Sequence, residues 1–361
     1  MSKKKGDNKN QRQFVSLINR RELAITILAI IVIAIAGFLY YNNQSAKNKK
    51  ITIATSAAKD SLSKDTVTYW MPADINSITD ATKKEQVLYG KELIAHTSKY
   101  FGPKGSVMQI SNGLNCQNCH LEAGTAVFGN NYGSVASLYP KFRARSGTME
   151  NIYKRVNDCF ERSLNGRAID TTGNEMQAIA AYINFIGSNV PKGKKAAGSG
   201  FKALAYLDRA ANTDKGKIVY TTKCQSCHQP GGGGLLNATG DEFTYPALWG
   251  KNSFNDAAGL YRIISFAKYI KYNMPLLTTY KNPMLTDEEA WDVAAYITAQ
   301  PRPHKNTPHD WPDITKKPID HPFGPYADTF SEQLHKFGPF KPIEALQLKN
   351  ADIANQKTKS N

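Results

Sequence analysis

The chain has 361 residues, 41% of them hydrophobic and 21% charged, with a formal net charge of +16. That composition supports a packed core and leaves room for two domains, and it excludes a disordered or collagen-like chain. The positive excess favours anionic partners, but no basic stretch with interleaved aromatics occurs, so small anions or an acidic redox partner fit better than nucleic acid.

Residues 1–22 form a basic tail containing seven Lys or Arg before the first apolar run. Residues 23–41 follow, 19 positions without a charge. A bilayer-spanning helix needs about 20 such residues. The preceding charges place the N-terminus in the cytoplasm by the positive-inside rule. The run is long for a signal-peptide core, and no small-x-small cleavage site follows closely. The expectation is therefore an uncleaved, single-pass anchor in the cell inner membrane, with everything after it on the periplasmic side. Residues 42–65 read as a polar stalk.

Five cysteines occur, and four of them fall in two copies of one pattern. Cys116-Gln-Asn-Cys119-His120 is the first, and Cys224-Gln-Ser-Cys227-His228 is the second. C-x-x-C-H is the attachment signature of c-type haem. Two thiols add to the two vinyl groups of one haem, and the adjacent histidine ligates the iron. A zinc reading leaves the histidines unexplained. Two covalently bound haem c groups are expected.

The duplication extends beyond the motifs. Gly90-Lys91 and Gly216-Lys217 precede them. Glycine-containing loops, Glu122-Ala-Gly-Thr125 and Gln229-Pro-Gly-Gly-Gly-Gly234, follow them. Each unit ends in an amphipathic helix around Tyr182 or Tyr296. The second of these opens with a capping box, Thr286-Asp-Glu-Glu289. The intervals from His120 to Tyr182 and from His228 to Tyr296 are 62 and 68 positions, so the repeat is inexact. The expected fold is all-α, with two class I cytochrome c-like domains in tandem after one N-terminal transmembrane helix. The boundaries are 66–190 for the first domain and 205–300 for the second. A linker at 191–204 overlaps the Gly-, Lys- and Ser-rich stretch 187–200. Residues 301–361 form a Pro- and His-rich wrap whose last dozen residues look disordered.

The partner facing each histidine decides the chemistry. The second domain offers Met274, in Asn273-Met274-Pro275 before the closing helix, and Met284 near the capping box. Met274 has the position expected of an electron-transfer ligand, whereas core packing is the plain reading of Met284. The first domain has no such Met-Pro loop but contains the fifth cysteine, Cys159. The stretch 148–166 reads as a helix ended by Asn165-Gly166. Cys159 fits a buried inert thiol, an intermolecular disulfide, or a thiolate on or beside haem iron. Arg155 lies four positions earlier on the same helix face, and a cation there favours the thiolate. Arg145 lies in the preceding turn, Phe142-Arg-Ala-Arg-Ser-Gly147. A solvated basic face is the plain reading of both arginines.

Across residues 66–345 the chain resembles the dihaem thiosulfate dehydrogenases, also described as tetrathionate reductases. Three segments carry the resemblance: Asn112-Gly-Leu-Asn-Cys116 through Thr125, Arg155-Val-Asn-Asp-Cys159 through Gly166, and Lys317-Pro-Ile-Asp through Asp328. It implies His120 and Cys159 as axial ligands of the active-site haem, Arg145 and Arg155 as the anion-binding pair, and His228 with Met274 at the second haem. Some members carry a lysine before that methionine. Asn273 stands there in this chain, and the anchor is a second departure. The implied reaction joins two thiosulfates into tetrathionate with release of two electrons. Cys159 would hold a sulfur adduct of the first thiosulfate, which the second attacks as in thiol–disulfide exchange. The His228 haem would pass electrons to a small cytochrome or a membrane quinol/cytochrome system. A membrane-anchored electron carrier without substrate chemistry is the alternative.

Overall fold

The computed structural model describes residues 68–359. Its longer elements, in chain order, are α1 (Ala81–Ala95), β1 (Lys141–Arg143), β2 (Thr148–Glu150), α2 (Ile152–Arg162), α3 (Asn174–Ile186), α4 (Thr213–Lys223), β3 (Leu235–Leu236), β4 (Phe243–Tyr245), α5 (Ile263–Asn273), α6 (Asp287–Thr298) and α7 (Lys341–Lys359). Short-range chemistry starts these helices. Asp80 accepts the Lys83 amide at the start of α1, and Asn212 accepts the Lys215 amide at the start of α4. At α6 the Thr286 hydroxyl accepts from the Glu289 amide while Glu289 accepts from the Thr286 amide, which is the capping box expected from the sequence.

The internal repeat has a packing cause. α1 crosses α3 at Gly90, where an added Cβ would lie 1.9 Å from the carbonyl oxygen of Ala178 and 2.8 Å from the Tyr182 Cβ. α4 crosses α6 at Gly216, where an added Cβ would meet the Asp292 oxygen at 1.9 Å and the Tyr296 Cβ at 2.8 Å. In both halves the glycine lets two backbones touch, and the tyrosine covers the crossing. Each crossing carries its own core. Leu93, Ile179 and Met176 are buried in the first; Trp291, Ile263 and Val293 are buried in the second. Each such side chain contributes about 1.5–3 kcal/mol on leaving water.

The described residues form one compact unit, in which polar contacts join the two halves. Tyr269 donates to the Asn118 carbonyl at 2.7 Å, Asn112 Nδ2 to the Ser253 carbonyl at 2.9 Å, and Asn255 Nδ2 to the Glu161 carbonyl at 2.9 Å. Beyond α6 the chain returns over the second half. Phe337, Phe340 and Ile343 complete its core, and Asp320 accepts the Ile264 amide at 3.0 Å and pairs with Arg262 at 3.5 Å.

Several expectations are corrected. The fold is helix-rich but not all-α, because β1 pairs with β2, and β3 with β4, in two antiparallel ladders. Thr148-Met149-Glu150 was expected to be helical. It pairs with Lys141–Arg143 because Gly147 takes a φ of +68°, which closes a hairpin turn. Asn151 then caps α2 by accepting from the Lys154 amide, so the helix begins four residues later. α7 continues to Lys359. The single-pass inner-membrane location is also corrected. Among the described residues no helix is long and apolar enough to cross a membrane. Helices such as α1 bury one face and carry Lys83, Lys84, Glu85 and Lys91 on the other. The segment 23–41, on which that location rested, lies outside the described residues.

Candidate functional site

Each C-x-x-C-H segment opens onto a cavity. The first measures about 980 Å³, with Cys116, Cys119 and His120 on one wall and Arg155 and Cys159 on another. The second measures about 640 Å³ and is lined by Cys224, His228, Met274 and Tyr269. Leu114 and Cys119 line both, so the two cavities share a wall.

The histidines are held alike. His120 Nδ1 donates to the Asn130 carbonyl at 2.6 Å, and His228 Nδ1 donates to the Pro246 carbonyl at 2.9 Å. Such a bond sets the tautomer and leaves the Nε2 lone pair available to iron. Burial lowers both imidazoles, His120 to about 4. The His120 ring also stacks on Tyr132, with centroids 4.5 Å apart. Burial pushes the Cys116 and Cys119 thiols up to about 12. That wall suits uncharged sulfur, which a thioether provides and a zinc-bound thiolate does not. The donor set, the fixed histidines and the apolar walls therefore fit haem c in both cavities.

Facing the first motif, α2 presents Arg155 and Cys159 one turn apart on the same side. Arg155 is held above its ordinary value, first by the charge of Cys159 and against the cost of burial. The guanidinium therefore keeps its charge in a site shielded from water. Cys159 is half-buried and, like the other cysteines, forms no disulfide.

Arg145 is not in the first cavity. It sits in the β1–β2 turn and lines a separate space, where its Nη1 donates to the Ala257 carbonyl at 3.1 Å and its Nε lies 3.8 Å from Asp310. It remains close enough to Arg155 to feel its charge. Burial first, then Arg162, lowers Arg145 to about 10.

At the second cavity Met274 is the residue following α5 and lines the space. Met284 is 47% exposed and lies outside the lining. Asn273 Nδ2 donates to the Phe128 and Tyr269 carbonyls at 3.3 and 3.0 Å, which keeps its amide occupied. Sequence reasoning missed Tyr132 and Tyr269, because aromatic residues carry no spacing signal for a cofactor wall.

The first half matches the SoxA/TsdA cytochrome c domain over residues 106–191, and the second matches cytochrome c oxidase cbb3-type subunit III over residues 211–297. The thiosulfate dehydrogenase of Psychrobacter arcticus is 37% identical over 243 residues, covering 66% of this chain and 71% of that protein. The chain belongs to the thiosulfate dehydrogenase family. The thiosulfate dehydrogenase of Stutzerimonas stutzeri is 30% identical, over 78% of this chain and 86% of that protein. Among solved structures, thiosulfate dehydrogenase (TsdBA) from Marichromatium purpuratum, in its as-isolated form, superposes with a TM-score of 0.60 at 30% identity. That match covers 66% of this chain and half of the longer one. Two cytochrome c domains, each with covalently bound haem c, are what this dehydrogenase family and the two cavities have in common.

Proposed function

We infer that this chain interconverts thiosulfate and tetrathionate, and that the His120 cavity is where the sulfur–sulfur bond forms. One observation supports this most strongly: Arg155 and Cys159 face His120 across a buried space, where an electron carrier alone needs neither a charge nor a nucleophile. When bound, the two haems supply acceptors for one electron each. The remaining chemistry falls to side chains of the chain itself.

Thiosulfate is a dianion, and bringing two together in a dry site requires a fixed cation. Arg155 provides a planar, permanently charged fork for a sulfonate. The Cys159 thiolate and the outer sulfur of the first thiosulfate form an S–S bond as two electrons leave, giving a cysteine-bound S–SO₃⁻ group. The outer sulfur of the second thiosulfate attacks the thiosulfate-derived sulfur of that bond. Tetrathionate departs, and the thiolate is the leaving group, as in thiol–disulfide exchange. No proton is consumed or released. In the reverse direction the same steps cleave tetrathionate, and the haem potentials together with the partner set the direction.

In this reading His120 and Cys159 would hold the iron of the catalytic haem, and His228 and Met274 that of the haem that exchanges electrons with a redox partner. The catalytic domain spans 66–190, the electron-transfer domain 205–300, with a linker at 191–204 and a wrap after 301, each domain of the class I cytochrome c type. Replacing Cys159 by Gly is expected to abolish thiosulfate oxidation and tetrathionate reduction while both haems stay attached by pyridine haemochrome assay. Full turnover in that variant would show that the cysteine has no part in the reaction.

A further inference from the structure

The space that receives Arg145 is a cavity of about 1,140 Å³ between the β1–β2 turn, the residues leading into α5 and the returning chain. Its cations come from distant parts of the sequence: Arg145, Arg262, Lys305 and Lys317. The acids facing it are largely engaged. Asp310 makes two 2.9 Å bonds with Arg162 and lies 3.8 Å from Arg145, so one carboxylate serves two guanidiniums. Asp320 is 3.5 Å from Arg262. Asp256 accepts from His304 at 2.6 Å and from the Lys305 amide at 2.9 Å, and the Lys305 ammonium pairs with Glu161 at 3.7 Å.

Lys317 has no such partner. It is 8% exposed, donates to the Phe323 and Pro325 carbonyls at 2.6 and 3.0 Å, and has no carboxylate within ion-pair distance among the described residues. Beside it the Trp311 Nε1–H is buried without an acceptor, while the Trp311 ring lies against the Arg145 guanidinium at 5.4 Å. The positive potential is felt by His321, which burial and then Lys317, Arg145 and Arg262 hold down at about 3. A buried ammonium whose nearest acid, Asp310, is already shared between two guanidiniums and a buried donor without an acceptor both carry an energetic cost that an oxyanion would remove.

We propose that this cavity is a second oxyanion site, holding a terminal sulfonate through Lys317, Arg262, Arg145 and the Trp311 Nε1–H. The proposal rests on the thiosulfate reading above. The sulfonate belongs either to the thiosulfate that has yet to react or to the far end of tetrathionate. The position suits both, because Arg145 borders this space and also senses Arg155 of the haem cavity. Two thiosulfates that must meet need two separate places for their sulfonates.

The test uses the dihaem protein and its Lys317→Met and Lys317→Arg variants. Tetrathionate binding to the oxidised protein is measured by calorimetry, and the thiosulfate KM with ferricyanide as acceptor. Lys317→Met is expected to raise the tetrathionate Kd or the thiosulfate KM about tenfold, as befits one lost charge-assisted bond. Lys317→Arg is expected to restore most of that loss. A rise confined to KM assigns the site to the waiting thiosulfate, and a rise confined to Kd assigns it to the far end of tetrathionate. Unchanged KM and Kd in Lys317→Met would overturn the second site and leave the Cys159 chemistry standing. If Lys317→Met does not fold, Trp311→Phe removes one donor and bears the same prediction, with unchanged constants again decisive against it. A wild-type protein that binds tetrathionate through Lys317 yet turns over neither anion would refute the catalytic reading and keep this site.

Discussion

Replacing Gly90 by Ala sets two known effects against each other. Within an exposed helix the change is stabilising by about 1 kcal/mol, because alanine loses less backbone freedom on folding. At this crossing the new Cβ would lie 1.9 Å from the Ala178 carbonyl oxygen, whereas ordinary contact begins near 3.4 Å. The helices must therefore separate by about 1.5 Å, and the obstacle is backbone, which has no rotamer to yield. Overpacking of this kind costs about 1–3 kcal/mol, and a rigid backbone obstacle belongs at the upper end. The net expectation is a loss of about 1–2 kcal/mol, or a Tm lowered by roughly 2–8 °C. Ile94, Ile179 and Ile183 line the haem cavity from α1 and α3, so the shift should also perturb the Soret spectrum of the first haem. Thermal unfolding followed by circular dichroism on haem-loaded protein decides the matter. An unchanged or raised Tm would refute the close crossing and, with it, the packing explanation of the repeat.

Two further predictions concern the second half. Met274→Leu should remove the methionine charge-transfer band of the second haem, whereas Met284→Leu, at an exposed position, should leave it in place; the opposite outcome would move the ligand to Met284. Glu289→Gln tests a pH-linked contact. Burial raises the Glu289 carboxyl, but hydrogen bonds from Lys223 and Thr286 outweigh it and hold the group below its ordinary value of 4.5. A depressed carboxyl stabilises the fold above about pH 4.5, and that contribution disappears as the pH falls through the folded-state value. The variant should lose about 0.5–1 kcal/mol at pH 7 and less at pH 3. Equal losses at both values, measured by urea denaturation, would argue against the linkage.

What could be read from sequence here was chemistry confined to neighbouring positions. The two C-x-x-C-H motifs need their thiols and histidine a few residues apart, and the Thr286–Glu289 box closes within one turn. The α2 pair Arg155 and Cys159 shows for the same reason, since four residues bring side chains onto one helix face. Even the repeat of Gly90 with Tyr182 and Gly216 with Tyr296 was visible, although the crossing that explains it was not.

Features that depend on distant contacts were decided by the tertiary structure. Thr148 to Glu150 has a helical reading, and only its partner strand and the left-handed turn at Gly147 make it β. Met274 and Met284 are ten positions apart and chemically alike; burial separates them. The family resemblance pairs Arg145 with Arg155, and the hairpin carries Arg145 into a neighbouring cavity where Arg262 and Lys317 arrive from more than a hundred residues away. No local pattern records such a meeting, because charges converge there through the packing of the returning chain. The sequence by itself determined that two haems are attached and which cysteine is left over. The fold alone determined which charges line each cavity.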